Sequence, residues 1–158
     1  MVKVPVQFTL NGAEKAEFVE SGTTLLGALR DKIGDTSPKG GCHQGTCGAC
    51  SVIIDGELRL SCLTLAETCN GADIKTTAGL AEGGVLHPLQ RAFLEAFATQ
   101  CGFCTPGMIM AAKVLLDRTP NPSREEVVEA LSGNICRCTG YEPIINAILA
   151  AAGGRVSA

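Results

Sequence analysis

The sequence predicts an α+β fold in two parts, and three observations predict it. Apolar residues repeat at every second position in the first half and at helical spacing in the second. Asn11-Gly12 and Asp55-Gly56, both strong hairpin turns, fall only in the first half. Eight of the nine cysteines form two sets of four, one set in each half.

Val2, Val4, Val6, Phe8 and Leu10 alternate with other residues, so a first strand with one apolar face runs into the Asn11-Gly12 turn. Ala16 and Phe18 continue the alternation on a returning strand. Thr24 is placed to cap a helix that carries Leu25, Leu26, Leu29 and Ile33 on one side and is ended by Gly34 and Pro38. Ser51–Ile54 and Leu58–Leu60 read as a second hairpin, and Ile74 marks a short closing strand near Asp73–Thr76. Two hairpins, a crossing helix and a closing strand describe a β-grasp domain over residues 1–78, of the plant-type ferredoxin-like kind. Residues 79–84, rich in glycine, form the expected linker.

Residues 85–158 form the expected second domain, a four-helix bundle. Leu89, Ala92, Phe93, Ala96 and Phe97 make one helical stripe, with Pro88 in the first turn. Thr105 and Pro106 read as N-cap and first residue of the next helix, which bears Met108, Ile109, Ala112, Leu115 and Leu116. Ser123 and Glu126 make a capping box for a third helix with Val127, Val128 and Leu131. Thr139 and Glu142 make another for a fourth, with Ile144, Ile145, Ile148 and Leu149, closed by Gly153-Gly154. With no Trp, five Phe and one Tyr, both cores must rest on aliphatic side chains. Domains this small bury only about 60% of their unfolded surface, and a metal site that ties distant segments together offsets that deficit.

The cysteine spacing carries the chemistry. Cys42, Cys47 and Cys50 form a C-x4-C-x2-C run, and Cys62 follows. That is the ligand spacing of a plant-type [2Fe–2S] cluster, which takes four thiolates. The glycines of Lys39–Cys50 let the backbone fold tightly and turn N–H groups inward, as anion-binding nests do. Cys101 and Cys104, then Cys136 and Cys138, supply a second set of four. Residues two apart face different ways on a helix, so Ile135–Thr139 must form a turn for Cys136 and Cys138 to share one cluster. Cys104-Thr105 and Cys138-Thr139 each set a cysteine before a helix start, aiming the positive dipole end at an anionic cluster and suggesting helix pairs about an approximate two-fold axis. Arg137 softens the cluster charge, meets a partner, or is an ordinary solvated charge. His43 is not counted as a ligand because four cysteines already serve. His87 reads as structural or exposed, and Cys69 as a free, partly buried thiol.

A net charge of −3 with no basic block excludes a nucleic-acid binder. No secretion signal or membrane span is apparent, so the cytoplasm is expected, where such cysteine spacing means metal rather than disulfides.

Three segments, Gly41–Cys50, Thr99–Gly107 and Gly133–Tyr141, resemble the small iron–sulfur subunit of the molybdenum hydroxylases, the xanthine dehydrogenase family. The resemblance spans nearly the whole chain. It implies two [2Fe–2S] clusters, the first nearer a flavin and the helical one nearer a molybdopterin. It implies a large molybdopterin subunit that oxidises substrate and, in the usual arrangement, a medium FAD subunit, in a hetero-oligomer such as a dimer of heterotrimers. Electrons would pass from molybdenum through the helical cluster and then the ferredoxin-like one to FAD. Gln100 and Cys138 are the implied pterin contacts, and no catalytic residue belongs to this chain. The competing readings are a free two-cluster ferredoxin-like carrier, which leaves the helical half unexplained, a zinc-stabilised module, and a dithiol redox sensor.

Overall fold

A computed structural model describes residues 2–153. The fold is α+β. The first part is a mixed five-stranded sheet of order β2-β1-β5-β3-β4. Strand β1 (Lys3–Leu10) pairs antiparallel with β2 (Ala13–Glu20) around Asn11-Gly12, both of which have positive φ as that turn requires. Strand β5 (Asp73–Lys75) lies parallel to β1 and antiparallel to β3 (Ser51–Ile54), which pairs with β4 (Glu57–Leu60) across Asp55-Gly56. The inward set Val6, Phe8, Leu10, Val19, Val52 and Ile74 packs on Leu25, Ala28 and Leu29.

The crossing helix differs from the expected one. Thr24 does cap it, accepting from the Gly27 N–H, but only α1 (Leu25–Gly27) is α-helical. Ala28–Ile33 continues with wider π-type turns, ended by Gly34 at φ 86°. The predicted stripe is split between two cores. Leu25 and Leu29 enter the sheet core, while Leu26 packs with Cys50, Cys62 and Leu60.

The second part holds α2 (Pro88–Glu95), α3 (Thr105–Arg118), α4 (Arg124–Ala130) and α5 (Glu142–Ala152). Helix α5 packs on α2 and α4, and α3 also touches α2 and α4. Their shared core includes Leu89, Phe93, Met108, Val127, Ile144 and Ile148.

Two helix starts depart from expectation. The N-cap of α3 is Cys104, one residue earlier than Thr105, because Cys104 already has helical φ and ψ. The Thr139–Glu142 capping box does not form. Gly140 and Tyr141 both take positive φ, which turns the chain away, so α5 begins after Tyr141 with no side-chain cap. The Ser123–Glu126 box does form. A further box, unread in the sequence, has the His87 Nδ1 accepting from the Leu89 N–H while Gln90 Oε1 accepts from the His87 N–H. Gly154, half of the predicted stop of α5, and the end of the predicted 85–158 span lie outside the described residues.

The two parts meet along α3 and β3. Ile53 of β3 packs with Met110 and Val114 of α3, joined by Leu58 and Leu80. Leu80 is therefore packed, although it falls in the predicted linker. At the junction Thr76 bonds Asn11 and Asp35, the Thr77 hydroxyl donates to the Pro106 carbonyl, and Gln90 Nε2 donates to the Thr77 carbonyl. Among the described residues no helix is long and apolar enough to cross a membrane.

Candidate metal centres

The first set is built by a loop and a hairpin. The loop after Pro38 carries Cys42, Cys47 and Cys50, and β3–β4 returns the chain to Cys62. The Ser61 hydroxyl donates to the Cys50 carbonyl at 2.7 Å and locks that return. The N–H groups of Gln44 and Thr46 point at Cys42 Sγ, at 3.5 and 3.3 Å. The loop thus turns its donors towards sulfur, as the glycine pattern predicted. The Thr46 hydrogen bond above all, then the Gln44 N–H, holds the Cys42 thiol down to about 5. Cys50 is the opposite case, where burial and the neighbouring Cys62 push the thiol up to about 11. Gly41 leaves room at the site, since a Cβ there would stand 2.8 Å from Cys47 Sγ and 3.4 Å from the Phe103 ring.

The second set is assembled by two turns. Cys104 stands at the start of α3, and Cys101 precedes it in a tight loop with Gly102 at φ 79°. Cys136 and Cys138 lie in the non-helical turn that their spacing demanded. Cys138 Sγ is 3.6 Å from Cys101 Sγ, and Cys104 lies beside Cys136. Burial and the adjacent Cys136 push the Cys104 thiol up to about 12. The Cys101 contact likewise raises Cys138. Burial works against ionisation of Cys136, but the Thr139 hydroxyl and N–H outweigh it and bring that thiol down.

In both sets the thiols come together in pairs: Cys42 with Cys47, Cys50 with Cys62, Cys101 with Cys138, and Cys104 with Cys136. Among the described residues no three or more His, Cys, Asp or Glu side chains are arranged to hold a single metal ion. Two pairs per set suit a group with two metal atoms, each taking two thiolates. The raised values have the same meaning. Cys50, Cys104 and Cys138 resist losing their protons until a cation replaces them, whereas hydrogen bonds already favour the thiolate at Cys42 and Cys136, so metal loading and proton release are coupled at the raised thiols.

Gln100 is exposed, next to exposed Cys101, and the Cys101–Cys138 contact brings it towards exposed Cys138. Arg137 is exposed as well. His43 is exposed at φ 54°, with its ring against Gly40 rather than turned to the thiols. Cys69 is fully buried beside Leu65 and the sheet core, and burial raises its thiol.

The sequence reading missed the residues that join the two sets. The Ile135 N–H donates to the Cys47 carbonyl at 2.9 Å, and buried Asn134 Nδ2 donates to the Gly48 carbonyl at 3.1 Å. It also missed Tyr141, whose hydroxyl accepts from the Cys136 N–H and donates to the Asn134 carbonyl. The Gly133-Asn134-Ile135 stretch stood beside the cysteines, but its bonds to Cys47 and Gly48 cross more than eighty residues and leave no local period.

A 2Fe-2S iron-sulfur cluster binding domain matches residues 8–77, and a [2Fe-2S] binding domain matches residues 76–149. The chain is 47% identical over 148 residues to the nicotinate dehydrogenase small FeS subunit of Eubacterium barkeri, covering 94% of each. Quinoline 2-oxidoreductase from Pseudomonas putida 86 superimposes with a TM-score of 0.93 at 47% identity, over 96% of this chain and 95% of that one. The aldehyde oxidoreductase of Desulfovibrio desulfuricans matches 96% of this chain with 17% of its own, at a TM-score of 0.91 and 40% identity. With two cluster-binding domains and small-subunit relatives matched over 94–95% of their own length, the chain belongs to the family of small, electron-transferring iron–sulfur subunits of the molybdenum hydroxylases.

Proposed function

We propose that this chain relays electrons between the molybdenum site of a large subunit and FAD in a medium subunit, or another acceptor. It holds one [2Fe–2S] cluster on Cys42, Cys47, Cys50 and Cys62 and another on Cys101, Cys104, Cys136 and Cys138. The observation that carries the reading is that two thiol sets, each made of two pairs, are joined by one backbone hydrogen bond from Ile135 to Cys47. When bound, each cluster supplies a one-electron couple and no bond-making chemistry.

The chain's own residues hold and tune these centres. The Gln44 and Thr46 N–H groups beside Cys42, and the Thr139 N–H beside Cys136, stabilise negative charge on sulfur and so favour a reduced cluster. Burial of Cys50, Cys62 and Cys136 keeps water from one side of each site. Exposure of Cys101 and Cys138 leaves the second site open outward, where Gln100 and Cys138 are the proposed contacts of the molybdopterin.

The functional units we assign are a β-grasp domain over residues 1–78, a linker over 79–84 and a four-helix bundle over 85–158. The partners are a large molybdopterin subunit and a medium FAD subunit, assembled as a dimer of heterotrimers in the cytoplasm. Relatives named as small subunits support a multi-subunit assembly. The test is anaerobic purification of the native complex through this chain. Co-purification of two larger chains with molybdenum and FAD is expected. Iron without molybdenum, flavin or any partner would instead establish a free two-cluster carrier.

A further inference from the structure

Tyr141 is the only tyrosine of the chain, and its backbone is held in the left-handed region at φ 69° and ψ −28°. That region is uncommon for any residue but glycine, and a bulky side chain there signals an imposed constraint. The constraint is visible at the hydroxyl. It accepts from the Cys136 N–H at 3.0 Å and donates to the Asn134 carbonyl at 3.1 Å. A hydroxyl is both donor and acceptor, so one atom satisfies two backbone groups that lie two residues apart.

The residue between them faces the other way. The Ile135 N–H donates to the Cys47 carbonyl, while the Asn134 side chain bonds the Gly48 carbonyl. Residues 134–136 therefore form a short strap with Tyr141 on one side and the first thiol loop on the other. The Tyr141 ring packs against the helical core and lines a cleft with Val128, Leu131, Ile135 and Ile145. The Tyr141 N–H donates to Thr139 Oγ1, which itself contacts Cys136 Sγ at 3.1 Å.

We propose that Tyr141 is the positioning residue of the second metal centre, its hydroxyl fixing the Asn134–Cys136 strap between Cys136 and the first thiol loop. The inference rests on the two-cluster reading above. Without the hydroxyl, the Cys136 N–H and the Asn134 carbonyl lose their partner, the strap relaxes, and the surroundings of Cys136 change most, with a smaller change passed to Cys47 through the Ile135 hydrogen bond.

The experiment is a Tyr141→Phe variant in the native complex, followed by an EPR-monitored redox titration. The phenyl ring is kept, so iron content is expected to stay at the wild-type level. The reduction equilibrium of the second cluster is expected to change about tenfold, which for one electron is about 59 mV. Its g-values are expected to shift as well, with a smaller change at the first cluster. Val128→Ala, which alters only the cleft wall, is expected to leave both clusters as they were. Should Tyr141→Phe fail to fold, 3-fluorotyrosine at the same position keeps both partners and changes only the strength of the hydroxyl. The second midpoint is then expected to move more than the first. A second-cluster midpoint and g-values identical to wild type in the Tyr141 variants would overturn the proposal by itself. A wild-type complex without iron would overturn the cluster reading and this inference together.

Discussion

The Cys47 carbonyl accepts a hydrogen bond at 2.9 Å from the backbone N–H of Ile135, the residue before Cys136. A member of the first thiol set is thereby one hydrogen bond and one residue from a member of the second. Neighbouring contacts hold this join in place: Asn134 Nδ2 reaches the Gly48 carbonyl, and the start of α3 lies against the same carbonyl at Gly107.

The close approach at Gly107 gives the first prediction. A Cβ on Gly107 would run into the Gly48 carbonyl, a backbone atom that cannot rotate away. Replacing glycine by alanine in a helix normally stabilises by up to about 1 kcal/mol. Here overpacking dominates, and Gly107→Ala is expected to destabilise by about 1–3 kcal/mol. Thermal melting of the holo chain checks the sign, and flash-reduction kinetics check for slower equilibration between the two clusters.

Cysteine replacements separate ligands from bystanders. Cys62→Ala is expected to remove the first cluster and leave two irons per chain, with the second-cluster EPR signal intact. Cys69→Ala is expected to keep all four irons, since Cys69 is buried in the sheet core away from both pairs of the first set. Loss of iron on Cys69→Ala would contradict the ligand set.

His87 makes stability depend on pH. Burial first, and then the nearby Lys113, lower its pKa beneath the ordinary 6.5. Asp117 and Glu82 oppose this without reversing it. The unfolded chain therefore binds the proton more readily than the folded one. The His87 contribution is complete above about pH 6.5 and is lost as the pH falls through the lower folded value. Protonation would also end the bond from the Leu89 N–H to Nδ1. Melting of wild type against His87→Asn, which keeps a capping oxygen, is expected to show a larger loss in wild type between pH 7.5 and pH 5.5. Equal losses in the two proteins would exclude His87 as the source.

The Ser123–Glu126 box stabilises the start of α4. Ser123→Ala is expected to lower stability by about 1 kcal/mol, or a few degrees in Tm. Iron content should not change, because α4 carries none of the eight thiols.

Much of this architecture was legible along the chain because its determinants are local. Alternating apolar residues and the Asn11-Gly12 and Asp55-Gly56 turns define both hairpins, and the Ser123-x-x-Glu126 spacing defines a helix start. The two sets of four cysteines were legible as spacings, C-x4-C-x2-C with Cys62 and C-x2-C with Cys136 and Cys138, which sequence alone displays. The failures share a physical cause. Thr139 and Glu142 satisfy the local rule for a capping box, but Thr139 Oγ1 is taken by the Tyr141 N–H and Cys136 Sγ, and positive φ at two residues delays the helix. Leu26 and Leu29 pack in different directions on either side of Gly27, where the π-type turns begin, and no single stripe expresses that. Asn134, Ile135 and Tyr141 act through bonds to the backbone of distant or turned segments, and backbone partners carry no residue signature.

The most direct measurement is of iron, acid-labile sulfide and reduced-state EPR on the same anaerobic sample of the native complex. Two binuclear sites predict four irons and four sulfides per chain, and two distinct spin-half signals that each integrate to one spin per chain. Zinc in place of iron, or a single signal from two irons, would contradict two [2Fe–2S] centres in this chain.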